Sequence, residues 1–278
     1  MQKVVPIGKI TGLIFIMLMS SFFVAGQSNA AMEVYADTLL GREDYKGALD
    51  LYTKLIESTK PSTDTQYQLY YKRAVCYYGL QDFDKALADV NLVIGKYPLP
   101  QSKLLRAYIY QEQGNYEAQL ADINELLAEN PDNLELIQWR ASILMEAKKY
   151  PEAQQAIRKL LATQSSPELK SYLGLSYYYQ GNPDSALVIF DEVLAEDPGQ
   201  IQTYIYAASL CMDEEAYPLS LTYIDKGLKA DPANMTLLFY KGIALAETDK
   251  VEEGCRCLKK AFYAGVDEVG DYLKQYCY

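Results

Sequence analysis

Histidine is absent from all 278 residues of the chain. Its absence removes the commonest general base, the Ser-His and Cys-His nucleophile arrangements, and the usual zinc ligand. Positive charge is scarce: 26 Lys and Arg stand against 37 Asp and Glu, a net −11 at pH 7. Nucleic-acid binding needs a basic stripe, so that function class is excluded, and anionic lipid headgroups would repel the chain. The simple meaning of the excess acid is solubility. The five cysteines are an odd number, which argues against a fully paired disulfide framework. Cys76 and Cys211 are expected as small buried residues. Cys255 and Cys257, two apart on a helix, point to different sides. Either reaches Cys277 if the chain end folds back in an oxidising compartment. The glycines form no phosphate-cradling cluster. Glu214-Glu215 and Glu252-Glu253 are carboxylate pairs, but adjacent helical residues do not face each other. Asp213-Glu214-Glu215 lacks the alternating oxygen spacing of a calcium loop. No catalytic residue, metal ligand or cofactor is expected, and the chain reads as a non-enzyme.

Long apolar runs are missing too, apart from one. Lys3 and Lys9 precede an apolar run from Ile10 to Ala25, and small residues follow it. This is the layout of a secretory signal peptide, residues 1–26, with cleavage after Gly26 or Ala30. The competing view is an uncleaved anchor. The run is about sixteen residues long and includes Thr11, Ser20 and Ser21, short of the roughly twenty a spanning helix needs. No Cys follows it to accept a lipid. Residues 1–26 hold two lysines and no acid, so cleavage there takes the net charge from −11 to −13. Export to the periplasm or cell envelope of a Gram-negative bacterium is the expectation, without membrane insertion after cleavage.

What is present is a beat. The small residues Ala36, Ala74, Ala107, Ala141, Gly174, Ala208 and Gly242 follow one another at gaps of 38, 33, 34, 33, 34 and 34. Twelve places after each stands Ala48, Ala86, Gln119, Ala153, Ala186, Ser220 or Gly254. Nine places after each stands Tyr45, Phe83, Tyr116, Tyr150, Pro183, Tyr217 or Val251. Prolines close four repeats, at Pro98, Pro131, Pro198 and Pro232. Such a period means stacked supersecondary units sharing one continuous core. Each repeat reads as two helices, with apolar residues recurring at three- and four-residue steps, as in Tyr70, Ala74, Tyr77 and Tyr78. Small residues on both helices let the pair approach closely. Asn182-Pro183, Pro151 and Pro218 mark first turns, where a missing N–H costs nothing. Gly114-Asn115 and Gly181-Asn182 supply turns. The polar stretch 59–66 (TKPSTDTQ) explains the longest gap and is the expected flexible point. Arg73 and Arg106 precede two of the small residues, with Asp89 and Asp122 sixteen residues on, predicting an ion pair between the helices of a repeat. Arg140 holds the same place but faces Ala156.

The segments 177–198 (YYYQGNPDSALVIFDEVLAEDP) and 77–98 (YYGLQDFDKALADVNLVIGKYP) carry the pattern best. It resembles the tetratricopeptide repeat, over residues 30–266 as seven repeats. The resemblance implies an all-α fold: a right-handed superhelical solenoid of seven helix-turn-helix units. Residues 267–278 add a C-terminal capping helix, with Val269, Tyr272, Leu273 and Tyr276 on one stripe. Departures are local, at Gln119, Ser220 and Gly254 and in the last repeat, which lacks Pro.

The family's inner, concave wall is built from helix A, at positions three before and one and four after the small residue. Mapped here, these are Tyr71, Val75 and Tyr78; Leu104, Tyr108 and Gln111; Gln138, Ser142 and Met145; Ser171, Leu175 and Tyr178; Ile205, Ser209 and Met212; and Phe239, Ile243 and Ala246. This wall holds no Lys or Arg, so the variant that grips carboxylate chain ends is not expected. Many of the 26 tyrosines, such as Tyr52, Tyr77, Tyr110 and Tyr177, need only a packing explanation. The leading function is an exported protein-interaction scaffold in a bacterial envelope assembly, binding a protein or peptide segment in the Tyr-rich groove. The alternative is a glycan- or polysaccharide-binding protein of an envelope export system. A monomer is expected, because a good cap closes the array.

Overall fold

The computed structural model describes residues 28–59 and 63–278. Residues 1–26, expected as a signal peptide, lie outside the described residues. So does the centre of the 59–66 linker, whose last residues instead open a helix.

Helix follows helix: α1 (28–41), α2 (Tyr45–Ser58), α3 (Asp64–Gly79), α4 (Phe83–Lys96), α5 (Pro100–Glu112) and α6 (Tyr116–Glu129). Then come α7 (Leu134–Glu146), α8 (Tyr150–Leu161), α9 (Pro167–Tyr179), α10 (Pro183–Glu196), α11 (Ile201–Asp213), α12 (Tyr217–Ala230), α13 (Met235–Ala246), α14 (Val251–Tyr263) and α15 (Val269–Cys277). Odd-numbered α1 to α13 are helix A of the seven repeats, and even-numbered helices are helix B. The chain forms two compact blocks, one ending at Glu129 and one spanning Asn130–Tyr278. Within each block every helix packs on its sequence neighbours, and helix A also touches helix A of the next repeat, as α3 does α5 and α11 does α13. No strand occurs among the described residues. The fold is the all-α tetratricopeptide solenoid, finished by α15 against α14.

The periodic positions, thirteen small residues and Gln119, sit where helices A and B cross, and all fourteen are buried. Contact there is close enough that a Cβ on Gly174 would lie 2.5 Å from a ring carbon of Phe190, and one on Gly254 2.6 Å from the Gly242 carbonyl oxygen. The polar departures are satisfied in place. Ser220 donates to the carbonyl of Ala208, its counterpart on helix A, at 3.0 Å, and Gln119 donates to the Gln111 side chain at 3.2 Å. The nine-place residue is the first residue of helix B in every repeat.

Helix entries and exits follow local chemistry. Side chains of Asp44, Thr63, Asp82, Asn133, Ser166 and Asn234 cap their helices by accepting the N–H three residues on. Pro151, Pro183 and Pro218 occupy first turns, although the Asn182 side chain makes no capping bond. Each turn from helix A to helix B holds one left-handed residue, two places before helix B. These are Glu43, Gln81, Gly114, Lys148, Gly181, Glu215 and Asp249. In the fifth repeat Asn182 N–H reaches the Tyr177 carbonyl and Gly181 N–H the Tyr178 carbonyl, both at 2.9 Å, the double closure of a Schellman turn.

Both expected ion pairs form as two-bonded forks. Arg73 donates from Nε and Nη2 to Asp89 at 2.7 and 2.8 Å, and Arg106 to Asp122 at 2.8 and 2.5 Å. The carboxylates are nearly sealed from solvent, 8% and 1% exposed. The hydrogen bond to each aspartate raises the partner guanidinium above its ordinary value. Arg140, without that aspartate, keeps a buried Nε that has no hydrogen-bond partner. At the other end, Cys255 is bonded to Cys277 with Cα atoms 5.7 Å apart, because α15 turns back along α14. Cys257 stays a free thiol, as do the buried Cys76 and Cys211.

Candidate functional site

Both helices of a repeat supply the core, and the candidate surface is the set of helix-A positions mapped from the sequence. In the N-terminal block, Tyr71, Val75 and Tyr78 lie half-buried on α3, against a core of Ala74, Ala86, Val90, Leu105 and Ile109. On α5, Leu104 is half-buried, Gln111 is exposed, and Tyr108 presents 46% of its surface. The Tyr78 hydroxyl points to Glu112 of the next helix A at 3.5 Å.

In the C-terminal block the mapped residues divide. Gln138, Ser142 and Met145 of α7 line a cavity of about 190 Å³, closed by Ile157, Leu169 and Tyr172. Ser209 and Met212 of α11, with Phe239 and Ile243 of α13, line a second cavity of about 650 Å³. Its far wall is α15, through Glu268, Asp271, Tyr272 and Gln275. Ile205 is half-buried and packs towards the core. Tyr178 is half-buried and its hydroxyl donates to Asp213, the last residue of α11. Burial first, then that hydrogen bond, pushes the phenol well above its ordinary value.

Five mapped residues are interior rather than wall. Ser171 is 4% exposed because its hydroxyl meets Thr203 across the α9–α11 contact at 2.7 Å. Leu175, at 9%, belongs to the core around Phe190. Phe239 and Ile243, at 5% and 6%, pack in one cluster with Leu273 and Tyr272 of α15. The helix-A template assumes that another repeat follows, whereas here α15 leans over the last helix A. Ala246 is buried as well.

The mapping in turn missed Tyr172, Tyr240 and the α15 residues. Tyr272 was visible as part of the capping stripe. Glu268, Asp271 and Gln275 lie on the same element at places a repeat template does not number. Among the described residues no group of three or more His, Cys, Asp or Glu is placed to hold a metal ion, and no helix is long and apolar enough to cross a membrane.

Solved structures share this architecture. A tetratricopeptide repeat protein of Parabacteroides merdae superposes with a TM-score of 0.62 at 20% identity, covering 90% of this chain and 97% of that one. The C-terminal part of a repeat protein of Cytophaga hutchinsonii gives 0.65 at 20% identity, covering 86% and 98%. YrrB, described as a repeat protein with an unusual peptide-binding site, gives 0.50 at 19% identity, covering 68% and 97%. Among curated proteins, a DnaJ homolog subfamily C member 7 homolog of Dictyostelium discoideum is 36% identical over 85 residues. That match spans 30% of this chain and only 16% of the relative. The family model described as tetratricopeptide repeat matches residues 35–99, 71–133 and 140–201. With more than half of its length matched and its helices paired in the same phase throughout, the chain belongs to the tetratricopeptide repeat family.

Proposed function

We propose that the chain is a non-catalytic scaffold, exported to the bacterial periplasm or cell envelope, that binds a protein segment along its helix-A faces. One observation carries the binding reading. In the C-terminal block the two cavities, of about 190 and 650 Å³, both open on mapped helix-A positions, around Met145 and Met212. Methionine repacks around different ligands and tyrosine supplies contact area at low entropic cost, which suits a peptide groove. The peptide-binding site in YrrB's description is a precedent within the fold. Export is supported by the Cys255–Cys277 bond, since such bonds persist in oxidising compartments.

Glycan binding is the second reading. Tyr272 and Tyr276 lie 15° from coplanar with ring centroids 6.4 Å apart, beside Gln275. The Tyr276 hydroxyl, however, is bonded to Glu247 and its ring is half-buried. The Tyr272 ring is half-buried too and meets Phe239 edge-on, so the pair is a poor platform for a sugar chain and the protein segment is favoured.

The binding test is a peptide selected on the purified chain from a random display library. Met145→Ala and Tyr108→Ala should each weaken such binders by about 1–3 kcal/mol, with the thermal melt nearly unchanged in Tyr108→Ala, whose ring is exposed. Tyr178→Ala is the wrong probe, because it also removes the bond to Asp213. Normal binding by both variants contradicts the proposal. For export, N-terminal sequencing of the secreted chain should begin at Gln27 or Ala31; a start at Met1 contradicts it.

A further inference from the structure

The larger cavity has a chemistry of its own. Three carboxylates line it, Asp213, Glu268 and Asp271, and no lysine or arginine does. Asp213 closes α11, whose carbonyl end is the negative pole of the helix. Asp271 is joined to Lys274 at 2.8 Å, but both side chains are mostly in solvent, so that pair neutralises little. Glu268 has no hydrogen bond or ion pair among the described residues. The floor is aromatic: Tyr272 meets Phe239 edge-on at 5.2 Å between centroids, and Tyr240 meets Phe239 at 5.7 Å.

A few of the chain's tyrosine rings are capped by its own cations. Lys72 lies over Tyr52, Arg73 over Tyr70 and Tyr77, and Arg158 over Tyr177, at 5.2 to 6.0 Å. Among the described residues, no lysine or arginine lies over Tyr240 or Tyr272. A ring face attracts a cation through its quadrupole, and more strongly when partly desolvated. Rings without a cation, beside Glu268 and an Asp271 whose exposed pair with Lys274 neutralises little, make a place for a positive charge supplied from outside. The volume, about 650 Å³, falls within the roughly 300–1,000 Å³ of ligand pockets.

We propose that this cavity receives the lysine or arginine side chain of a partner segment, its alkyl stem on Met212 and Phe239 and its charge between the rings and Glu268. The inference rests on the helix-A reading and adds the partner's charge to it. A chain of net charge −11 favours such an encounter at long range as well.

The test uses the purified full chain and a fluorescent short peptide alternating Leu and Lys, beside the same peptide with Gln for Lys. The Lys peptide should bind about tenfold more tightly than the Gln peptide. That preference should shrink as salt rises from about 50 to about 500 mM, because screening weakens charge pairs near a surface. Glu268→Gln with Asp271→Asn should abolish the preference while leaving the melt unchanged, since both side chains are exposed. Equal binding of the two peptides, with loss of both in Met145→Ala, would overturn the cation site and leave the helix-A reading standing. A Lys preference that survives the double substitution overturns it too, as does displacement of the Lys peptide by a neutral cello-oligosaccharide. Failure of both peptides to bind removes both readings.

Discussion

Several side chains do structural work that depends on their remaining protonated. Tyr52 is fully buried and donates to Asp37 at 2.6 Å; Tyr223 donates to Asp191 at 2.9 Å. Burial first, then the neighbouring carboxylate, raises both phenols well above the ordinary 10.0. Burial also pushes the Cys76 thiol up to about 12 and the Cys211 thiol to about 11, from 9.0. In each case the folded value exceeds the unfolded one. The stability these groups contribute is therefore complete below about pH 9 and is lost as pH climbs towards the folded values. The urea midpoint should be level from about pH 7 to pH 8 and fall between about pH 9 and pH 11. Tyr52→Phe should reduce the fall by removing one ionising group. A midpoint that rises through that window contradicts the assignment.

At the scale of the helix pair, the crossing of A and B decides stability, and one repeat is incomplete. Arg73 and Arg106 are each held by a buried aspartate, whereas the place sixteen residues after Arg140 holds Ala156, 3% exposed, and the Arg140 Nε is left unpaired. A buried donor without a partner costs about 1–3 kcal/mol, more than a hydrogen bond gains when made. Ala156→Asp should complete the third fork and stabilise the chain by about 1 kcal/mol, read as a higher thermal midpoint. A lower midpoint would mean that the new carboxylate costs more to desolvate than Arg140 returns. The helix-A-to-B turns follow a related logic. Seven residues adopt the left-handed conformation but only Gly114 and Gly181 are glycines. Glycine alone therefore marked just two of the seven turns. The repeat register places all seven, because the turn's two backbone bonds fix the conformation whatever the side chain.

Over the whole chain, the repeats and the capping helix were legible, and what the cap does to the last helix A was not. Constant spacing placed thirteen small residues and Gln119 in the core and fixed the first residue of every helix B, since a shared crossing geometry leaves the same room each time. The same spacing put Phe239 and Ile243 on an open wall, where α15 covers them. It also said nothing of the cavity that α15 completes, because a terminal element has no counterpart in the period. Nor did spacing alone decide between Cys255 and Cys257; the direction in which α15 returns selects Cys255. Binding on helix A is the central claim, and hydrogen exchange tests it whatever the natural partner is. A library-selected peptide at saturation should slow exchange in the odd-numbered helices, α7, α11 and α13 of the C-terminal block foremost, with α15. Helix B offers a rival surface, with Val188 of α10 and Leu219 of α12 exposed at 59% and 42%. Protection confined to α10, α12 and their even-numbered neighbours would place the partner there and contradict the account.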